Sequence, residues 1–188
     1  MKFTPTGLAG ATVVEQERRE DARGYFARTF CEREFAEHGL PTRMVQSNVS
    51  LTRRAGTLRG MHFQDPPEDK LVRCMRGAIW DVIVDLRPAS PTYCQWDGFE
   101  LNESNGRMLL VPKGFAHGFV ALTDDAVVCY QMSEFYTPGG ERGARHDDPA
   151  FGIEWPVPVT QVADKDRAWP DFARSAGSDA HTRKWSTA

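Results

Sequence analysis

Ala78-Ile79-Trp80-Asp81-Val82-Ile83-Val84-Asp85-Leu86, residues 78–86, is the stretch whose reading decides the fold. Gly77 precedes it and Arg87-Pro88 follows, so residues that interrupt regular structure bound it. Side chains alternate along a strand, which puts Trp80, Val82, Val84 and Leu86 on one face and Asp81 and Asp85 on the other. Strand-length runs of similar character lie on both sides. Met44 to Leu51, Gly56 to Gln64 and Lys70 to Arg76 come before it. Trp96 to Leu101, Arg107 to Val111, Gly118 to Leu122 and Ala126 to Met132 come after. Nearer the start, Thr12-Val13-Val14 and Tyr25 to Phe30 also favour strand, the second entered from the turn Asp21-Ala22-Arg23-Gly24. Many short strands with regular turns predict a mainly β jelly-roll sandwich or barrel. Glu32 to His38 reads as a short peripheral helix, with Gly39 placed to end it. Trp155-Pro156-Val157-Pro158-Val159 is excluded from any central strand, because proline has no ladder donor.

The chain has 188 residues, which suits a single domain over 1–172. Alanine, serine and charge dominate residues 173–188, which read as a loose tail. Hydrophobic residues at 40% and charged residues at 26% are ordinary for a globular protein. No apolar run approaches the roughly 20 residues of a membrane span, and the start lacks a signal-peptide layout, so a cytoplasmic setting is expected. A net charge of -3 gives no overall attraction to nucleic acid or to an anionic membrane. Locally, Arg53 to Arg76 carries six basic residues against three acids, either a solvated strand face or an anion pocket. The four cysteines, at 31, 74, 94 and 129, have no C-x-x-C spacing and predict neither a disulfide framework nor a zinc site.

Pro112-Lys113-Gly114-Phe115-Ala116-His117 has the P-x-G-x-x-H spacing that resembles the second half of the cupin signature. Metal-binding cupins offer three histidines and a glutamate, whereas His62-Phe63-Gln64 supplies one histidine where H-x-H stands in them. Of the five histidines, His38, His146 and His181 lie on a polar helix face, in a loop and in the tail. Only His62 and His117 sit on central strand-like segments, and two imidazoles do not complete a metal site. No metal is therefore expected, and both rings are left for acid–base work. His117 alone also fits a satisfied core histidine. Arg59-Gly60-Met61-His62 concentrates polar groups more heavily than a core strand does, which implies a cavity. Arg59 and His62 are three apart, so a regular strand sends them to opposite faces, and a bulge or bend at Gly60 is needed to unite them.

An ordered series of motifs makes the pattern specific. It runs through Asp21-x-Arg23-Gly24-x-Phe26, Gln46-x-Asn48, Arg59-Gly60-Met61-His62-Phe63-Gln64, Lys70-Leu71-Val72-Arg73, Asp81-Val82-x-Val84-Asp85-Leu86-Arg87, Ser90-Pro91-Thr92, Pro112-x-Gly114-Phe115-Ala116-His117-Gly118-Phe119 and Asp164-Lys165-Asp166. This resembles the dTDP-4-dehydrorhamnose 3,5-epimerase family over about residues 3–172. The resemblance implies a cupin-type jelly roll, a homodimer and no cofactor. It implies as substrate a nucleoside-diphosphate 4-keto-6-deoxy sugar, inverted at carbon 3, carbon 5 or both. By similarity His62 is the base and Asp166 orients it. Lys70 meets the enolate oxygen, and Tyr130 returns a proton on the opposite face. A tyrosine within Val127-Val128-Cys129-Tyr130 is on its own an ordinary strand aromatic; only its place in the family pattern gives it this role. Arg59, His117, Gln46 and Asn48 would hold the sugar and diphosphate. Arg23 and Phe26 would reach the nucleotide from the partner subunit.

Three positions depart from the family pattern. Arg28 stands where a glutamate usually helps to recognise the pyrimidine, which reverses the charge beside the base. Phe135-Tyr136 replaces paired tyrosines, so Tyr136 keeps a stacking ring and one hydroxyl is lost. His146 stands where a tryptophan is common. The alternatives are a sibling epimerase with a non-thymine nucleotide or a single inverted carbon, a non-catalytic sugar-nucleotide-binding cupin, and a metal-dependent cupin oxygenase, the last disfavoured by the missing ligands.

Overall fold

A computed structural model describes residues 1–174. Two sheets face each other. The first runs β1 (Lys2–Pro5), β2 (Thr12–Glu15), β10 (Arg107–Val111), β7 (Lys70–Arg76), β12 (Ala126–Met132) and β5 (Gln46–Thr52), all antiparallel. The second runs β13 (Glu141–Gly143), β6 (Thr57–Gln64), β11 (Phe115–Ala121), β8 (Ala78–Asp85) and β9 (Trp96–Asn102), with β14 (Gln161–Val162) parallel to β6. The hairpin β3 (Arg18–Asp21) and β4 (Gly24–Ala27) stands apart. The helices are α1 (Glu32–Glu37) and α2 (Asp164–Arg167). This is the expected mainly β jelly roll with short peripheral helices.

The expected strand from Tyr25 to Phe30 stops at Ala27, because Phe30 turns in to pack on Phe35 of α1, ring centroids 4.9 Å apart. Arg18 to Asp21, charged throughout, becomes a strand only as the partner of β4. The segment 155–159 is not a strand, as its prolines dictate. From residue 175 onward the expected tail lies outside the described residues.

Both faces of β8 are buried. Ile79 and Ile83 point between the sheets, against Val72, Leu109, Val128 and Phe115. Val82 and Val84 point outward, beneath Tyr93, Phe151, Trp155 and Phe172. On the first sheet's outer face, Val14, Leu71, Met108 and Leu110 are covered by Phe35 of α1. The face of β8 that carries Asp81 and Asp85 is thus the interior one, and both carboxylates are 0% exposed. Asp85 is structural. It accepts hydrogen bonds from Arg87 Nε (2.8 Å), Arg87 Nη2 (2.7 Å), Ser90 Oγ (2.5 Å) and Thr92 Oγ1 (2.6 Å) and fixes the corner after β8. Burial raises its pKa, but these donors outweigh burial and hold it below the usual carboxylate value.

The device that places the site lies in β6. His117 pairs with His62 and Phe119 with Arg59, so two residues of β6, Gly60 and Met61, oppose the single Gly118 of β11. This bulge turns Arg59 and His62 to the same interior face, although they are three apart. Gly60 has φ +128°, which side chains rarely adopt, and a Cβ there would sit 2.5 Å from the Gly118 Cα. Met61, displaced outward, is fully buried in the outer cluster. We expect Gly60→Ala to cost at least roughly 1–3 kcal/mol in denaturant unfolding, the scale for strained backbone, and to depress activity by separating Arg59 from His62. Stability and activity at wild-type levels would show that the bulge tolerates a side chain.

Candidate active site

A cleft of about 410 Å³ opens between the sheets. Arg59, His62 and His117 line it from the second sheet, and Lys70, Val128 and Tyr130 from the first. Strand alternation explains the first sheet's contribution. Ala126 and Val128 point inward into the core, so Tyr130 does also, and inward Val72 and Cys74 fix Lys70 on that side of β7. Glu141, Lys165 and Asp166 close one end.

His62 Nε2 bonds Asp166 Oδ1 at 2.7 Å. Asp166 is brought there by the free edge of β6. β13 pairs with residues 62–64 of that edge and β14 with residues 57–58. Between them the Gly60 N–H donates to Asp166 Oδ2 at 3.4 Å, from the first turn after β14. Asp166 is 3% exposed in its side chain. Burial raises its pKa, yet the hydrogen bond and charge of His62 and the Gly60 amide outweigh burial and hold the carboxyl below its usual range. An ionised Asp166 accepts a hydrogen bond from Nε2–H, which leaves Nδ1 as the nitrogen with a free lone pair. Glu141 Oε1 lies 3.8 Å from His62 Nε2 and is bound in turn by Lys165 Nζ at 2.8 Å.

The other interior side chains are also paired. His117 Nε2 bonds Asp81 Oδ1 at 2.8 Å, and Asp81 Oδ2 is buried with no hydrogen-bond partner among the described residues. Lys70 Nζ binds Glu68 Oε1 at 2.8 Å. Arg59 donates through Nε to Thr52 Oγ1 and through Nη2 to the Leu51 carbonyl, both at 3.0 Å. Burial, and after it the charge of Glu68, raises the Tyr130 phenol above its ordinary pKa against the pull of Arg59, so the hydroxyl keeps its proton at neutral pH.

Six of the residues singled out from sequence therefore line one cleft: His62, Asp166, Lys70, Tyr130, Arg59 and His117. Gln46 and Asn48 lie beside it on β5, joined by a 3.2 Å hydrogen bond, and the Tyr136 amide donates to Gln46 Oε1 at 3.0 Å. Arg23, Phe26 and Arg28 do not line the cleft of their own chain. Phe26 is 69% exposed. Arg23 is paired with Asp21 at 2.6 Å and Arg28 with Glu34 at 2.6 Å. Sequence reasoning missed Glu68, Glu141 and Lys165 as site members, and placed Asp81 on a strand face and in the family pattern without giving it a role at the site. Asp81 had a legible signal, a carboxylate set between Ile79 and Ile83 in the middle of a strand-length apolar run. Glu141 had none, because its place depends on β13 pairing with β6.

The profile of the dTDP-4-dehydrorhamnose 3,5-epimerase family matches residues 5–174. A dTDP-4-dehydrorhamnose 3,5-epimerase of Methanothermobacter thermautotrophicus is 47% identical over 172 residues, covering 89% of this chain and 92% of its own. A dTDP-4-dehydrorhamnose 3-epimerase of Streptomyces niveus is 40% identical over 182 residues, covering 94% and 87%. Among solved structures, the dTDP-4-dehydrorhamnose 3,5-epimerase of Bacillus anthracis with TDP and PPi bound superposes with a TM-score of 0.87 at 42% identity, covering 91% of this chain and 99% of that one. The architecture is accordingly cupin-type.

Asp166 ties pH to stability. A carboxyl held below its unfolded value stabilises the fold fully above about 3.8, and that stabilisation fades as pH falls through the lower folded value. Asp166→Asn should lower neutral-pH stability by roughly 1.5–3 kcal/mol, the worth of a hydrogen bond to a charged group. The gap to wild type should close in acid below about pH 3.8. Urea melts at pH 7, 5 and 3 measure it, and a gap constant across all three would rule this linkage out.

Proposed function

We propose, for a chain that belongs to the dTDP-4-dehydrorhamnose 3,5-epimerase family, that His62 and Tyr130 invert a dTDP-linked 4-keto-6-deoxy sugar from opposite walls of the cleft. The chain is a sugar-nucleotide epimerase. The observation that carries the assignment of roles is His62 on one sheet, paired with Asp166 of α2, facing Lys70 and Tyr130 on the other sheet.

A C–H beside a ketone is acidic only while its enolate is stabilised. His62 Nδ1 takes the proton, the C–H electron pair forms the new C=C bond, and the carbonyl π pair moves onto the ketone oxygen. Lys70 donates to that oxygen; one such preorganised donor is commonly worth roughly 2.7–4 kcal/mol. The Tyr130 hydroxyl then delivers a proton to the opposite face of the same carbon, and the ketone re-forms. His62 ends protonated and Tyr130 ionised, and solvent resets both. Arg59 and His117 hold the substrate's oxygens, Arg59 suiting a diphosphate through its planar fork of donors. Gln46 and Asn48, on β5 of the opposite sheet, and Tyr136, bonded to Gln46, extend the site toward the nucleotide.

The working unit in this reading is a homodimer. β5 ends its sheet, and its outward residues Val49 and Leu51 are 70% and 40% exposed. An apolar edge of this kind invites pairing. The exposed hairpin carrying Arg23 and Phe26, with Arg28 just beyond it, reaches a partner's cleft more readily than its own. A second reading, inversion of carbon 3 alone, takes the activity of the 40% identical 3-epimerase, against higher identities of 47% and 43% to two 3,5-epimerases.

Incubation with dTDP-4-keto-6-deoxyglucose in deuterated water separates these readings. NMR should find label at carbons 3 and 5; label at carbon 3 alone supports the single inversion. His62→Ala should slow exchange by roughly 10²–10⁴-fold, the usual contribution of a general base, with dTDP binding within about threefold of wild type. Tyr130→Phe should still exchange label but yield little inverted sugar. Inversion that persists in Tyr130→Phe would remove Tyr130 as the acid. For the assembly, sedimentation should give a dimer. Val49→Asp should raise the monomer fraction and weaken dTDP binding together; a monomer that binds dTDP as tightly as wild type would exclude a partner's contribution.

A further inference from the structure

We propose that Glu68 is a positioning residue for Lys70, fixing the ammonium that meets the enolate oxygen; this rests on the enolate role given to Lys70 above. Glu68 lies two residues before Lys70, the first residue of β7, and outside the series of motifs quoted above. Its Oε1 accepts from Lys70 Nζ at 2.8 Å, with the two side chains only 4% and 13% exposed. Its Oε2 is buried and has no hydrogen-bond partner among the described residues.

This is a poor stability device. A buried ion pair scarcely recovers its desolvation, and a carboxylate oxygen left unpaired adds a further penalty. What the pair supplies is order. Lysine carries its charge on a four-carbon stem with rotatable N–H donors, so its head is fixed only if something holds it. Glu68 takes one of the three donors and leaves two for the cleft. A small void of about 50 Å³, lined in part by Glu68, Lys70 and His117, lies beside the pair, so packing alone does not lock the ammonium. The same carboxylate acts on Tyr130, where its charge opposes loss of the phenolic proton. One carboxylate thereby orders the donor and adds to the burial that already raises the phenol's pKa.

The test is a double-mutant cycle on the full-length enzyme, reading kcat and KM for epimerisation. Lys70→Met should lower kcat by roughly 10²–10³-fold, the loss of one preorganised donor. Glu68→Gln should lower kcat about ten- to hundredfold with KM within about threefold, a smaller effect because Glu68 acts through another group. In the Lys70→Met background, Glu68→Gln should change kcat by less than about threefold, since residues that act as one unit are not additive. Equal losses in both backgrounds, or an unchanged kcat in Glu68→Gln alone, overturn the proposal. Full activity in Lys70→Met removes instead the enolate role beneath it. Should Glu68→Gln not fold, Glu68→Asp keeps the charge on a shorter arm: reduced kcat at constant KM supports the proposal, and wild-type kcat overturns it.

Discussion

Between Arg59 and His62 the strand β6 has two residues where β11 has one, and the interior of the barrel is organised around that mismatch. Without it, alternation would send one of the two side chains to the outer face, where Met61 now packs. The bulge also turns the Gly60 amide toward the free edge of β6, and Asp166 docks on it. A single glycine conformation therefore places a cation, an imidazole and the carboxylate that orients the imidazole. Backbone rather than loop holds the site, and strands shift less than loops.

Polar groups inside the barrel come in pairs: His62 with Asp166, His117 with Asp81, Lys70 with Glu68. In each pair the carboxylate is almost wholly buried, and such pairs are weak as a source of stability. Three apolar clusters, one between the sheets and one over each outer face, supply the burial that tolerates them. Asp85 shows the contrast. Its oxygens meet arginine and two hydroxyls, and it serves a corner. Asp81 and Glu68 each keep a buried oxygen without a partner among the described residues, and both face groups that line the cleft.

Much of the site is legible in the order of the residues alone. His62, Lys70, Tyr130, Arg59, His117 and Asp166 are picked out by a family pattern whose motifs follow one another in a specific order, and all six line one cleft. Arg23, Phe26 and Arg28 are equally visible against that pattern, yet one chain leaves them outside its own cleft, on or beside an exposed hairpin. Glu68 and Glu141 are not legible in this way. Their identity as acids is plain, but their meaning lies in what they touch, Lys70 Nζ at 2.8 Å and Lys165 Nζ at 2.8 Å.

The amino-acid order suffices for the long strands, the jelly roll and most of the polar residues that share its interior, because alternation with period two sorts side chains between faces regardless of what the strands pair with. It also shows that Gly60 has to break that period if Arg59 and His62 are to meet. Which carboxylate each cation or imidazole receives is settled by the folded chain instead. His62 and Asp166 lie 104 positions apart, and His117 and Asp81 lie 36 apart. Contacts at such separations are set by which strand edges are left free and by where the chain can return to cover them, and no local pattern encodes either.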